Sequence, residues 1–260
     1  MKRHLFLVLN HGSQQNPLPN VKVDRDGYLS FFQSPEGGYW KEDEISVYNN
    51  DFNFSVFKRN VRFQEQIQQP YDFIVFVFCG HGCMDENGEQ WLEVRPDGTE
   101  GSDISVSQIR NVCRDVRTLF IFDACSSYYA GPLHEQRMIN FCGVADSQTN
   151  YALRCRDLYN HIVLQTPEDT FVAGFAASAG ESAGENRNGG YYSQSILSNT
   201  HELINLLKTD SQYRQYNHAT FPFIHTKARE KVILLSNGRQ HPEIDMPRDK
   251  QQLPFVVVAK

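Results

Sequence analysis

No stretch of this chain approaches the ~18 consecutive apolar residues of a membrane-spanning helix, so the sequence offers no candidate for one. A basic cluster is missing too: 25 Lys and Arg stand against 31 Asp and Glu, and the net charge of −6 argues against nucleic acid or an anionic membrane as the main partner. The six cysteines are scattered among apolar segments and form no disulfide framework, which suits a reducing, cytoplasmic setting. The N-terminus has basic residues and then an apolar run of about five residues. That is shorter than the ~7–15 of a secretory signal, and no small-residue cleavage site follows, so none is expected. The 260 residues, 40% hydrophobic, suffice for one large α/β core, and nothing forces a second domain.

What is present centres on Asp72-Phe-Ile-Val-Phe-Val-Phe-Cys-Gly-His81-Gly82. The run is too short and too rich in β-branched and aromatic residues for a helix, and reads as a strand buried on both faces, as in parallel sheets. A second such strand, Thr118-Leu-Phe-Ile-Phe-Asp123-Ala-Cys125-Ser-Ser, follows. His81 and Cys125 thus stand at the carboxyl ends of two strands, the edge where open α/β sheets build sites. A thiol beside an imidazole suggests a nucleophile and its base. Gly82 permits a sharp turn and leaves its amide uncovered, so the N–H groups of Gly82 and Cys125 are candidates to receive an oxyanion.

These residues resemble the caspase, metacaspase and paracaspase group of cysteine peptidases, in which a strand ending in His-Gly precedes a strand ending in Asp-x-Cys or Gln-Ala-Cys. Cys125 lies 44 residues after His81, against roughly 50 in caspases. Asp123, where animal caspases have Gln, resembles metacaspases and paracaspases, and bacterial metacaspase-like domains above all. Cys79 stands where the group commonly has Ser before Gly-His-Gly, a substrate-contacting position. The resemblance implies a three-layer sandwich with a mostly parallel six-stranded sheet and helices on both faces. It implies a large-subunit-like region over 1–125, a connector over 126–150 and a small-subunit-like region over 151–260. It also implies cysteine endopeptidase activity on a protein or peptide substrate, with a possible activating partner protein or homodimer; the alternative is a catalytically silent scaffold.

The same resemblance bears on specificity. Matching Ala179-Gly180 to the caspase Ala-Pro-Gly places Glu185 where Asp-selective caspases carry a pocket arginine. Asp123 shares a strand face with Cys125, since strand side chains repeat every second residue. A partly buried carboxylate without a cationic partner is costly, and a substrate guanidinium or ammonium would pair with it. Cleavage after Arg or Lys is the expectation, against the plainer reading that Asp123 only accepts backbone N–H bonds.

Along the rest of the chain, Leu5 to Asn10 reads as the first strand and residues 11–43, rich in Gly, Pro, Asn and Asp, as a long loop with a short turn of structure around Tyr28 to Gln33. Glu44 to Asn49 reads as an edge strand, and a helix capped by Asp51 or Asn53 runs to about Gln69 with Phe54, Phe57 and Val61 on one face. A hairpin of Gln90 to Val94 and Asp103 to Val106, turning at Pro96-Asp-Gly98, precedes a helix near Val106 to Cys113. A helix near Tyr151 to Leu164, a strand from Thr170 to Ala177, a loop to Gly190, a helix from Tyr191, a helix near Thr226 to Leu235 and a strand from Phe255 complete the domain.

Competing chemistries are weaker. Cys79, His81 and Cys83 share one strand face, yet a structural zinc site wants four ligands and no second Cys pair stands out. Asp85, Glu86, Glu89, Asp97, Glu100 and Asp103 flank the hairpin and read as a solvated face; no cofactor is expected beyond a possible weak Ca²⁺ site there, as in some metacaspases. Cys113, Cys142 and Cys155 read as packing. Ser126 and Ser127 are poorer nucleophiles than a thiol beside a His.

Overall fold

The computed structural model describes residues 1–66, 69–96, 101–126, 149–213, 215–247 and 253–260. The turn residues Asp97 and Gly98, together with Glu100, Ser127, Cys142 and most of the expected connector, lie outside them. In chain order the elements are β1 (Arg3–Leu9), α1 (Val21–Gln33), β2 (Ile45–Asn49), α2 (Phe54–Gln66), β3 (Phe73–Cys79), β4 (Gly82–Met84), β5 (Gln90–Glu93), β6 (Asp103–Ser105), α3 (Val106–Cys113) and β7 (Arg117–Asp123). There follow α4 (Thr149–Leu164), β8 (Phe171–Phe175), β9 (Glu185–Asn186), β10 (Gly189–Gly190), α5 (Tyr191–Thr209), β11 (His218–Thr220), α6 (Phe221–Leu235), β12 (Glu243–Asp245) and β13 (Pro254–Val257). Six strands form one sheet in the order β12-β8-β7-β3-β1-β2, parallel throughout except for the edge strand β12.

The central strands divide their side chains by parity. Phe73, Val75, Val77 and Cys79 of β3 enter one apolar layer with residues of α1, α4, α5 and α6, while Ile74, Phe76 and Phe78 enter the other with residues of α2 and α3. Every residue of β3 and of β7 is buried, which explains their unbroken apolar runs. On the α2 and α3 side, Phe57 meets Phe6 edge-on with ring centroids 4.9 Å apart, and Phe76 packs on Phe52, Phe57 and Phe120. Asn53 caps α2 by accepting from the Val56 N–H at 3.0 Å.

Residues 11–43 depart from the expected loop, because 21–33 are helical. Val21, Asp24, Tyr28, Phe31 and Phe32 of α1 are buried at helical spacing. The stripe was hidden by Asp24 in a core-facing place and by Gly27, which costs about 1 kcal/mol in a helix. α5 crosses close to Gly27: a Cβ there would lie 2.6 Å from Leu197 Cδ1, and that side-chain end would have to shift. β13 stands outside the main sheet, paired antiparallel with β11, and the sixth strand is β12. The expected hairpin gains a third strand, since β4 pairs with β5 directly after His81.

Candidate active site

β3 and β7 pair in parallel with Cys79 opposite Asp123, so the chain reaches His81 and Cys125 side by side just beyond the sheet. Both line one cavity of about 120 Å³, with Asp24, Cys79, Asp123, Ala183, Glu185 and Gly190 among its other walls. The structure therefore brings together the side chains expected to serve catalysis and substrate binding, His81, Cys125, Asp123, Cys79 and Glu185. Gly82 lies against this cluster: a Cβ would come within 3.0 Å of Ala124 Cβ and 3.1 Å of the Cys125 carbonyl, so only glycine lets β4 approach this closely.

The backbone around the thiol leaves two donors unspent. The His81 carbonyl accepts from Glu93 N–H at 3.0 Å, which makes Gly82 and Leu92 a non-hydrogen-bonded pair and turns the Gly82 N–H out of the ladder. Among the described residues neither that amide nor the Cys125 N–H has a protein acceptor, whereas the next amide, Ser126, donates to the Glu181 carbonyl at 2.9 Å.

His81 Nε2 lies 2.9 Å from the Asn16 carbonyl. A carbonyl only accepts, so Nε2 carries the hydrogen, and in the neutral ring Nδ1 keeps a lone pair for the thiol proton. Asn16 comes from the segment after β1, where Asn10 Oδ1 accepts from the Gly12 N–H at 2.7 Å and Gly12 bridges to Pro17.

Cys125 Sγ is half-buried and contacts one residue of the loop after β8: Ala183 donates its N–H at 3.3 Å and accepts from the thiol at 3.5 Å. Burial pushes the thiol pKa up, with Asp123 and Glu185 adding to the rise and the Ala183 N–H opposing it. That loop is clamped from behind. Gln240, buried between α6 and β12, accepts from the Gly184 N–H at 2.9 Å and donates to the Ala176 carbonyl at 2.9 Å. Glu181 accepts from the His241 backbone N–H at 2.6 Å and its ring Nδ1 at 2.7 Å.

The floor of the cavity is acidic. Asp123 is buried, and its Oδ2 accepts from Ser193 N–H at 2.8 Å; to that extent the plainer backbone-acceptor reading holds. It is not alone, however. Asp24, which the sequence reading missed inside its expected loop, is fully enclosed and accepts from the Gly190 N–H with both oxygens at 3.1 Å. Burial raises the pKa of Asp24 well above the usual value, and Asp123 raises it further. Burial likewise raises Asp123, against the Ser193 bonds. Glu185, half-buried and held by Asn20 Nδ2 at 3.3 Å, is raised by burial and by Asp123. No Lys or Arg among the described residues lines this cavity.

Cys79 lines it too, but it is fully buried, lies 3.7 Å from Ser193 Oγ, and has its thiol pushed well up by burial and then by Asp24 and Asp123. No cluster of three or more His, Cys, Asp or Glu able to hold a metal occurs among the described residues, so Cys79, His81 and Cys83 are not gathered as ligands. Asp85 spends its carboxylate on the Asn87 and Glu89 amides and on Trp91 Nε1. No helix among the described residues is long and apolar enough to cross a membrane.

The family model described as the caspase domain matches residues 3–253. Among solved structures, the crystal structure of caspase-1 from Spodoptera frugiperda superimposes with a TM-score of 0.57 over 99% of this chain and 90% of that one, at 14% identity. That likeness is one of fold. No curated protein matches the sequence.

Proposed function

The chain belongs to the caspase-domain family of cysteine peptidases, and on that premise we propose that it cleaves peptide bonds after Arg or Lys, with Cys125 as nucleophile and His81 as its proton-transfer partner. The observation that carries the specificity is the cavity wall shared by Asp24, Asp123 and Glu185 beside Cys125, free of any described Lys or Arg. Like charges in low dielectric raise one another's pKa, and a substrate cation is the partner that relieves all three.

In the proposed reaction His81 Nδ1 takes the thiol proton, and Cys125 Sγ attacks the scissile carbonyl carbon. The oxygen gathers negative charge against the N–H groups of Gly82 and Cys125. The C–N bond then breaks, the leaving amine takes the proton from His81, and an acyl-enzyme remains. Water, deprotonated by His81, hydrolyses the thioester and frees the thiol. The Asn16 carbonyl holds the ring in the tautomer this requires.

One observation favours a second reading, in which the chain binds basic segments and cuts nothing: Ala183 engages the thiol with both of its backbone groups. The two are separated by measuring kcat/KM on matched peptides ending in Arg, Lys, Asp or Leu. Arg and Lys are expected to lead by on the order of 100-fold or more, since other side chains leave buried carboxylates unpaired. Cys125→Ala and His81→Ala should each remove nearly all turnover, because such groups fail as a unit. Binding of Arg peptides without turnover, unchanged in Cys125→Ala, selects the silent scaffold; a preference for Asp, or a basic preference untouched by Asp123→Ala, overturns the cavity assignment.

A further inference from the structure

Ser126, the residue after the candidate nucleophile, is buried, and each of its polar atoms is engaged. Its N–H donates to the Glu181 carbonyl at 2.9 Å, and its carbonyl accepts from the Gly180 N–H at 2.8 Å. Its hydroxyl donates to the Ala177 carbonyl at 3.2 Å and accepts from Gln90 Nε2 at 3.1 Å. The same Nε2 lies 3.4 Å from the Cys125 carbonyl. A carbonyl only accepts, and the Ser126 hydroxyl proton is already given to Ala177, so the end of the Gln90 amide facing both is the NH₂. The other end, Oε1, is closed to solvent and has no hydrogen-bond partner among the described residues. An enclosed acceptor without a donor costs about 1–3 kcal/mol, so stability alone favours an apolar side chain in this place.

Gln90 belongs to β5, and β5 also places the Gly82 amide. Glu93 of β5 donates its N–H to the His81 carbonyl at 3.0 Å, and Leu92 stands opposite Gly82. One strand therefore holds Gly82 by its backbone and the Cys125 turn by a single side chain. The segments are in close contact: a Cβ on Gly82 would come within 2.9 Å of the Trp91 carbonyl and 3.1 Å of the Cys125 carbonyl. The peptide unit between Cys125 and Ser126 is pinned at both ends, its carbonyl by Gln90 and its N–H by Glu181. With the carbonyl end released, that unit can turn and carry the Cys125 N–H out of line with that of Gly82.

We propose that Gln90 and Ser126 are positioning residues, which fix the separation of the two amides that receive the oxyanion. The proposal rests on Cys125 being the nucleophile, and not on which residue precedes the cut. Neither side chain lines the cavity. Both act through the Cys125 backbone, so their effect falls on the steps in which a carbonyl oxygen gains charge.

The test compares wild type with Gln90→Met, Gln90→Glu, Ser126→Ala and the Gln90→Met, Ser126→Ala double variant, by peptide turnover, affinity for the aldehyde of the same peptide, and alkylation by iodoacetamide. The aldehyde carbon bonds to Cys125 Sγ and the thiol proton ends on its oxygen, so the adduct uses both amides. Iodoacetamide forms an S–C bond and expels iodide, the thiol proton passing to His81, with no oxyanion. Gln90→Met is expected to lower kcat by on the order of 10- to 100-fold with KM changed by no more than about 2-fold, because misplaced donors are felt in the transition state. Aldehyde affinity should fall in proportion, while the alkylation rate holds. Tm should not fall, because Met removes the orphaned Oε1 together with the donor. Ser126→Ala should lower kcat in the same way, and the double variant should lose little more than either alone. Gln90→Glu should be impaired at pH 8 and recover toward wild type as the pH falls, when its protonated carboxyl again donates to Ser126. A kcat unchanged in Gln90→Met and Ser126→Ala, or turnover and alkylation lost equally, overturns the proposal while the peptidase reading stands. A wild type that neither cuts peptides nor forms the aldehyde adduct overturns the peptidase reading and this proposal with it.

Discussion

The carboxylate of Asp24 sits on α1 with both oxygens on one backbone N–H, facing Asp123, and burial followed by that neighbour raises its pKa well above the ordinary value. A group whose folded pKa is raised adds stability below its unfolded pKa of about 3.9, and that contribution is lost as pH rises through the folded value. At neutral pH the ionised form therefore works against the fold. Asp24→Asn keeps an acceptor for Gly190 and removes the charge. Its Tm is expected to exceed that of wild type at pH 8 and to converge on it as the pH falls toward 4, by calorimetry across that range. The same variant should lose about 10-fold in kcat/KM on Arg peptides, mostly through KM, because an interaction with the bound side chain is lost. A lower Tm at pH 8 would show that the carboxylate is held for its hydrogen bonds alone. With Asp24, Asp123 and Glu185 all raised, binding of a basic peptide should also weaken on acidification at a pH above that of an ordinary carboxylate. In Asp24→Asn this limb should move to lower pH, because a like charge has gone, and a 1/KM profile that does not move would count against the shared cavity.

At the scale of elements, the cavity is a gap between the end of β7, the first turns of α1 and the β9–β10 hairpin, and glycine keeps it open. A Cβ at Gly190 would lie 2.2 Å from Asp123 Oδ2. Gly190→Ala is therefore expected to displace that carboxylate and cut kcat/KM on Arg peptides by on the order of 100-fold. Cys125 should still react with a small alkylating agent, since the atoms nearest the new methyl all belong to Asp123. Equal loss of both would place the defect in the fold. The elements that were legible in the sequence are those whose patterning comes from burial alone: β3 and β7 announce themselves because neighbours cover both faces, and α3 because its buried Val106, Ile109, Val112 and Cys113 recur at helical spacing. The elements that were not legible carry function or serve only the assembled fold. The apolar stripe of α1 is broken by the charged Asp24, and β9 and β10 are two-residue strands made largely of polar residues and glycine. His81, Cys125 and Asp123 could be read from strand ends, but Asp24, Asn16 and Gln240 meet the site only through tertiary contacts across long stretches of chain. A polar residue recurring at helical spacing with Val21, Tyr28 and Phe31 was the one available signal for Asp24.

Over the whole molecule, the halves on either side of residues 127–148 share one sheet and one core, which decides what a cut between them does. β8 follows those residues and pairs in parallel with β7, which precedes them, and α4 packs its Cys155, Tyr159 and Val163 into the layer that also holds Val21, Trp40 and Phe73. A polar tie reinforces the seam. The Arg3 side chain is fully enclosed, with its guanidinium 4.2 Å from the Trp40 ring centre and 2.9 Å from Asn160 Oδ1 on α4. Burial lowers its pKa to about 10, so it stays charged at neutral pH. Glu44 joins Arg3 to Arg156 of α4; burial opposes its charge, but the Arg156 and Lys41 bonds and Arg3 bring its pKa down to about 2. A protease site inserted within 127–148 and cut after folding should accordingly leave two pieces that co-elute in native gel filtration and part only in denaturant. If cleavage is not needed for activation, kcat/KM should be the same before and after the cut, whereas a rise on cutting would assign the segment a restraining role. Glu44→Gln should weaken the seam, because it leaves Arg3 enclosed without its carboxylate, a change that costs about 3–5 kcal/mol for a buried pair and less here, where Glu44 retains some exposure. In the cut protein that loss should appear as dissociation of the pieces at lower denaturant than for the cut wild type, with the uncut variant showing only a lowered Tm. Equal denaturant midpoints for the two cut proteins would mean that the shared sheet alone holds the halves together.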